Sequence, residues 1–397
     1  MADVDLAPAE GDCGALMYAT TASGPICLGI HVAYDASNKV VVGTAVTRQL
    51  IQQAVERFDQ YVIQSGSPML VDPIGPLHPK STVRFIEDGT LHVYGTLRIA
   101  QRFKSRVTDT FIRKEIIALT ANTELPIVPK HCAPLLSGWI PKHNNLLKMV
   151  KTANLFESAK LRSCSDAFLK DILNNLPEGE LNLIEVYDLS TVVNGAPGVS
   201  FVDRINRKTS AGYPWCKSKL DLLTILPPNE VHQHPAQVDQ EVLDRAEVML
   251  NTYKSGAVVN PVFVAHFKDE PITFAKREKS KTRIFCGAPF DFTIIVRKFY
   301  LSLIRVMQRN MSVFECAIGI SAQCKQWDEL YQSITSFGTE RIIAGDYSSF
   351  DKTMPPDVML EAFRILIELA RVGGYSDDDL RIMQGIAEDI SFPTVMF

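Results

Sequence analysis

The sequence has no run of eighteen uncharged apolar residues, which excludes a helix long enough to span a membrane. Its 8 cysteines include no Cys-x-x-Cys pair. The histidines that come nearest to a metal pattern, His131 beside Cys132 and the His232/His234 pair, lack zinc spacing. A core or surface role suits both, and scattered cysteines suit a reducing, intracellular setting. There is no secretory leader either, because Met1–Glu10 is acidic where a basic n-region and an apolar core are needed. Internal repeats and low-complexity tracts are lacking. Nor is there a bulk excess of one charge: the net charge is -4 and charged residues are 22%. With 46% hydrophobic residues over 397 positions, a mostly disordered chain is excluded and two or three packed domains are expected.

The charge that is present is unevenly placed. Residues 261–310 hold ten Lys or Arg against four Asp or Glu, so the acidic excess lies elsewhere. Such segregation suits a stretch that meets a polyanion, although a solvated helix face produces the same count. Near the N-terminus, short apolar runs at Ala15–Thr20, Ile26–Tyr34 and Val40–Val46 alternate with turn signals and predict part of a β-barrel or sandwich. A helical period follows over Leu50–Tyr61. Residues 64–79 then carry four prolines and two glycines, the composition of a linker and domain boundary. Beyond it the pattern predicts a strand at Leu91–Ile99 and helices over Phe156–Leu173, Glu241–Tyr253 and Arg297–Met311. It also predicts a short strand, Arg341–Ala344, that delivers Asp346. Pro355-Pro356 opens an apolar helix running to Val372, and Gly373-Gly374 ends it.

Five features of the sequence could carry chemistry. Cys13 lies between glycines in Gly11-Asp12-Cys13-Gly14, where flanking N–H groups can face an oxyanion; a reduced structural thiol is the plainer alternative. His31 sits inside an apolar strand pattern, where a core histidine is equally at home. Lys268-Asp269-Glu270 opens a stretch that continues through Lys276, Arg277, Lys279, Lys281 and Arg283. These cations suit a triphosphate or a single-stranded nucleic acid, and the pattern predicts a basic hairpin lying on a core. Thr209, Ser210, Gly212, Tyr213 and Trp215 form a turn whose hydroxyls can bond phosphate and whose aromatics can stack a base, or an ordinary loop. Asp346 and Asp351 flank Tyr347-Ser348-Ser349-Phe350. A strand-end carboxylate can take a hard cation, and a second one after a short turn can accept from a sugar hydroxyl; helix and turn caps are the alternative.

In chain order, Thr209–Trp215, Lys268–Arg283 and Asp346–Asp351 resemble the G, F and A motifs of picorna-like RNA-dependent RNA polymerases, over about residues 80–397. The resemblance implies that Thr209, Ser210, Gly212 and Tyr213 guide template and primer. It implies that Lys268, Lys281 and Arg283, with Lys276 a looser match, contact nucleotide phosphates. It further implies that Asp346 is a catalytic ligand of Mg²⁺ (or Mn²⁺) and that Asp351 senses the ribose. The stretch Arg371–Ile390 is similar to the segment after this motif in insect and marine picorna-like viruses. Residues 8–50 resemble the C-terminal barrel of picorna-like cysteine proteases, with Cys13 as nucleophile and His31 in the glutamine pocket.

The implied fold is mixed: a small all-β half of a chymotrypsin-like barrel over residues 1–64, α+β polymerase fingers over 65–340, and the first part of a right-hand palm over 341–397. The implied partners are RNA template and primer, nucleoside triphosphates and viral replicase components in the host cytoplasm. The Gly-Asp-Asp and Ser-Gly-x-x-x-Thr motifs of the family do not follow Asp351, and the protease's general base and acid do not precede Cys13. The expectation is therefore an internal polyprotein fragment, inactive alone, with an incomplete two-metal site and a processing site at Gln64/Ser65. A non-catalytic RNA-binding protein using residues 268–283 is the alternative from another class. A reverse transcriptase is a third, less consistent with the upstream Cys13 and His31 pairing.

Overall fold

The computed structural model describes residues 16–21, 24–35, 40–44, 47, 75–77, 79, 93–97, 104–123, 130–149 and 156–397, with backbone alone for the strands up to residue 44. Cys13, Gln64, Ser65 and the Leu50–Tyr61 pattern lie outside the described residues. The chain divides into two compact units, Met1–Ile63 and Gln64–Phe397.

In the first unit β1 (Leu16–Thr21), β2 (Gly24–Asp35) and β3 (Val40–Thr44) form an antiparallel meander with β2 in the middle. The strands fall within two residues of the predicted runs, because turn residues bracket short β-branched stretches. His31 lies on the central strand opposite Gly43, next to a register shift between His31 and Ala33.

The second unit begins with α1 (Arg113–Thr120), β4 (His131–Cys132), α2 (Trp139–Met149), α3 (Ser158–Asn175) and α4 (Leu189–Asn194). Next come β5 (Leu223–Ile225), β6 (Ala236–Val238), α5 (Gln240–Lys254), β7 (Val262–Phe267), β8 (Ile272–Thr273), α6 (Phe274–Glu278) and β9 (Ile284–Gly287). It closes with α7 (Phe290–Arg309), α8 (Lys325–Ile334), α9 (Phe350–Thr353), α10 (Pro356–Val372), α11 (Asp377–Ser391) and β10 (Thr394–Met396). β7 is the middle strand between β10, parallel to it, and β9, antiparallel to it. β4 pairs with β8, and β5 with β6.

Helix α7 is the axis of this unit. Phe292, Ile295, Phe299, Leu303 and Val306 recur every three or four residues and face a core shared with Met249 and Tyr253 of α5, Leu369 of α10, and Ile382, Met383 and Ile386 of α11. Phe290, Ile294 and Leu301 face a second cluster built from α4, β5 and β6. A helix apolar on two sides is buried between layers, and each such side chain contributes about 1.5–3 kcal/mol. Its buried start, Phe290-Asp291-Phe292, precedes the predicted Arg297 because a near-continuous apolar run hides the helical period.

Two polar devices fix the packing of α11. Ser376 and Asp379 form a reciprocal capping box at its N-terminus. Near its end the buried Asp389 accepts from Tyr253 Oη at 2.6 Å, Val259 N at 3.1 Å and Asn260 N at 3.0 Å, anchoring the approach to β7.

The predicted strand Arg341–Ala344 is absent. Arg341–Ser348 is irregular and exposed throughout, with Ile343 98% exposed. An apolar run forms a strand only where a neighbour completes the ladder, and among the described residues none pairs with it.

Candidate functional site

The basic stretch is a hairpin, as its charge pattern predicts. β7 runs out and β9 returns, and Lys268 N donates to Arg283 O at 2.9 Å across the neck. The excursion between them is braced from upstream at several points. Asp269 accepts from Ser105 Oγ at 2.5 Å and Arg106 N at 2.6 Å. Arg277 donates to Ala133 O. The buried Thr282 donates through Oγ1 to Leu135 O at 2.8 Å, and its carbonyl accepts from Asn145 Nδ2 of α2 at 2.9 Å.

That bracing leaves the cations on the surface: Lys268, Lys276, Lys279, Lys281 and Arg283 are exposed. Arg283 grips Glu270 with two bonds, Nε at 2.7 Å and Nη2 at 2.8 Å, and Lys268 Nζ stands 3.4 Å from the same carboxylate. Burial pushes the Glu270 carboxyl up, but Arg283 and Lys268 outweigh it and hold the group below its ordinary range. Among the described residues, Lys276, Lys279 and Lys281 have no ion-pair partner. Behind the hairpin, Lys142 of α2 lies 5.9 Å from the centre of the Phe267 ring, and burial lowers its pKa.

The turn at Thr209–Trp215 docks onto the end of this hairpin. Gly212 has φ +71°, and a Cβ there would stand 2.7 Å from Ala288 O, so only glycine allows the approach. Phe290 N donates to Ala211 O at 2.8 Å. The buried Lys219 ammonium ties the turn from beneath, donating to Thr209 Oγ1 at 2.8 Å and Ser210 O at 2.7 Å. Thr209 and Ser210 are exposed. Tyr213 does not fit its expected stacking role: it is 3% exposed and packs with Val262 and Val264 of β7. Trp215 is likewise engaged, its Nε1 donating to Glu241 at 2.8 Å while Arg245 covers its ring at 5.1 Å.

The acidic segment reaches the hairpin through its second half. Lys148 of α2 donates to Ser349 Oγ at 2.9 Å, so one helix binds both Thr282 and Ser349. Asp351 lies inside α9 and pairs with Lys352 at 2.7 Å, so it caps no helix. Both side chains act electrostatically on Cys286 of β9, whose thiol is pushed up mainly by burial. Asp346 is exposed within the irregular stretch. Among the described residues no three His, Cys, Asp or Glu gather as a metal site. Asp346 belongs to no such group.

Two groups that are far apart in sequence thus meet at β9, the Ala211–Gly212 turn just past its end and the Lys268–Arg283 cations before its start, and α2 links the Ser349–Lys352 turn to the same hairpin through Asn145 and Lys148. Sequence reading missed the braces Lys142, Asn145 and Lys148, because a helix-bound Asn or Lys has no pattern of its own. It also missed Lys352, since an Asp-Lys dipeptide does not reveal that the lysine folds back.

A family model described as "Viral RNA-dependent RNA polymerase" matches residues 120–378. The chain is 24% identical over 365 residues to the replicase polyprotein of acute bee paralysis virus (strain Rothamsted), covering 88% of the chain and 19% of that polyprotein. It is 27% identical over 367 residues to the genome polyprotein of human hepatitis A virus genotype IIIB, covering 91% of the chain and 14% of that polyprotein. It thus spans under a fifth of these relatives. Among solved structures it is similar in fold to the Sicinivirus 3Dpol RNA-dependent RNA polymerase, with a TM-score of 0.52 and 17% identity over 80% of the chain and 57% of that protein.

Proposed function

The chain belongs to the viral RNA-dependent RNA polymerase family, and from that premise we propose that it forms the nucleotide- and template-binding part of a polymerase in a viral replicase polyprotein. The observation that carries this reading is the gathering of the three groups around the β7–β9 hairpin and the α2 helix that braces it. In the proposed reaction the RNA 3′-hydroxyl attacks the α-phosphorus of a nucleoside triphosphate. The new P–O bond forms as the bond to pyrophosphate breaks, and the hydroxyl proton passes to solvent. Lys268, Lys276, Lys281 and Arg283 neutralise the triphosphate, an electrostatic task that phosphoryl chemistry requires. Thr209 and Ser210 bond template phosphates, while Gly212 and Tyr213 shape the turn. Asp351 accepts from the ribose. Asp346 is the position for Mg²⁺ (or Mn²⁺), an ion that takes one or two carboxylates plus substrate phosphates and stabilises charge in the transfer.

The first unit reads as the C-terminal part of a polyprotein-processing cysteine protease, with Cys13 as its thiol and His31 in its substrate pocket. Its antiparallel meander, with His31 on the central strand, supports this. A match covering 91% of the chain also needs more residues than Gln64–Phe397 contains, so it runs into this unit. Polyprotein processing at Gln64/Ser65, RNA and replicase partners and action in the host cytoplasm belong to the same reading.

The test is Asp346→Ala in the full-length polymerase. Incorporation is expected to be lost, with RNA affinity kept within about twofold because phosphate contacts dominate binding. Retained incorporation overturns the assignment.

A further inference from the structure

We propose that Lys352 is a positioning residue that holds the Asp351 carboxylate for the ribose 2′-hydroxyl and so sets the preference for ribonucleotides. This rests on the polymerase reading above. The geometry is unusual for a lysine on a short surface helix. Its Nζ stands 2.7 Å from Asp351 Oδ2, and its side chain is only 8% exposed while that of Asp351 is 65% exposed. Neighbouring residues on a helix do not face one another, so this pair forms only because the lysine stem folds back beneath the carboxylate. Lysines normally bury the stem and leave the head in water. Here the head is covered as well, and the partner is what remains outside.

The turn that carries the pair is pinned. Ser349 has φ 58°, a left-handed conformation that is costly for a residue with a Cβ. Lys148 donates to its Oγ at 2.9 Å, and Thr353 Oγ1 donates to its carbonyl at 3.2 Å. Cys286 lies on the hairpin side, within electrostatic reach of both Asp351 and Lys352. A carboxylate whose Oδ2 is held by the lysine Nζ presents Oδ1 in a fixed direction. A site built to bond a hydroxyl rejects the analogue without it, because its own polar group is then left unpaired. Without Lys352 the carboxylate samples several rotamers, and the selectivity falls.

The experiment compares ribo- and 2′-deoxyribonucleotide incorporation by the full-length polymerase and by its Lys352→Met and Lys352→Arg variants. Met keeps the length of the stem and Arg keeps the charge. The expected result is an approximately tenfold fall in the ribo-to-deoxy ratio of kcat/KM for Met, carried by the ribonucleotide arm, with Arg within about twofold of the parent. An unchanged ratio in the Met variant overturns the inference and leaves the polymerase reading standing. Absence of incorporation by the unaltered polymerase removes the polymerase reading and this inference with it. A second measurement, made on the chain itself, separates misfolding from mispositioning: alkylation of Cys286 at pH 8, followed by peptide mass mapping. Loss of the ammonium should slow it about threefold in the Met variant but not in the Arg variant. Equal rates in all three would place Lys352 elsewhere and overturn the proposal independently.

Discussion

The basic hairpin and the acidic segment that meets it are held in opposite ways. The hairpin is tied at both ends and along its excursion, by Asp269, Arg277, Thr282 and the β7–β9 ladder, and the cations project from that frame. The acidic segment has a braced second half, Ser349–Lys352, and an exposed first half, Arg341–Ser348. A cation that neutralises phosphate works as a point charge and needs only to be near. A carboxylate that shares a metal or recognises a hydroxyl needs direction, so the two halves of one site demand different amounts of support from the fold.

The largest expected effect falls on the frame. Gly385 lies on α11 against the ring of Tyr253, with no room for a Cβ. Gly385→Val should cost about 3 kcal/mol or more through overpacking, measured by urea denaturation of the chain. If the frame and the hairpin are one cooperative unit, RNA binding is lost along with it. Binding that survives in the destabilised variant would separate the two regions more sharply than the contacts suggest.

Next is the pH response of the same helix. Burial pushes the Glu388 carboxyl up to about 7 and, as the leading influence, that of Asp389 up to about 6. The folded state thus favours the protonated acids more than the unfolded chain does. Stability should be greatest below pH 4.5 as far as Glu388 is concerned, and decline as pH rises through about 7. The loss is on the order of 2–3 kcal/mol for one such group. Glu388→Gln should flatten this slope and stabilise the chain at pH 8. An unchanged slope would mean that water reaches the carboxyl.

Much of the frame was legible in the sequence because it rests on local rules. Pro355-Pro356 and Gly373-Gly374 punctuate α10, and turn residues bracket β1, β2 and β3. The cations were legible because charge density survives without knowledge of the fold. The acidic strand was not, because Arg341–Ala344 has the composition of a strand but a ladder needs a partner. Tyr213 was read as a stacking surface because an aromatic beside Gly and Pro looks like an exposed loop. Its place against Val262 and Val264 depends on a hairpin about fifty residues away in sequence.

A smaller effect tests how far the cations are already engaged. Glu270 holds both Arg283 and Lys268. Glu270→Gln releases two exposed cations and should tighten binding of single-stranded RNA about three- to tenfold at low salt. The salt dependence should steepen by about 0.7 per released contact. An unaltered slope in a filter-binding titration would show that the pair opens on binding without cost.

The smallest effect is the most diagnostic of the contrast. Ile343 is 98% exposed, so Ile343→Ser should change the stability of the chain by less than about 0.5 kcal/mol, as surface substitutions do. In the longer polymerase proposed above, the same residue belongs to an apolar run that a neighbouring strand would cover. The substitution should then cost about 2 kcal/mol and weaken incorporation as Asp346 loses its support. Urea denaturation of the two proteins, each with and without the substitution, gives the comparison. A cost that is equal in both would mean that the segment stays irregular in the working enzyme, and Asp346 would have to be positioned by its ligands alone.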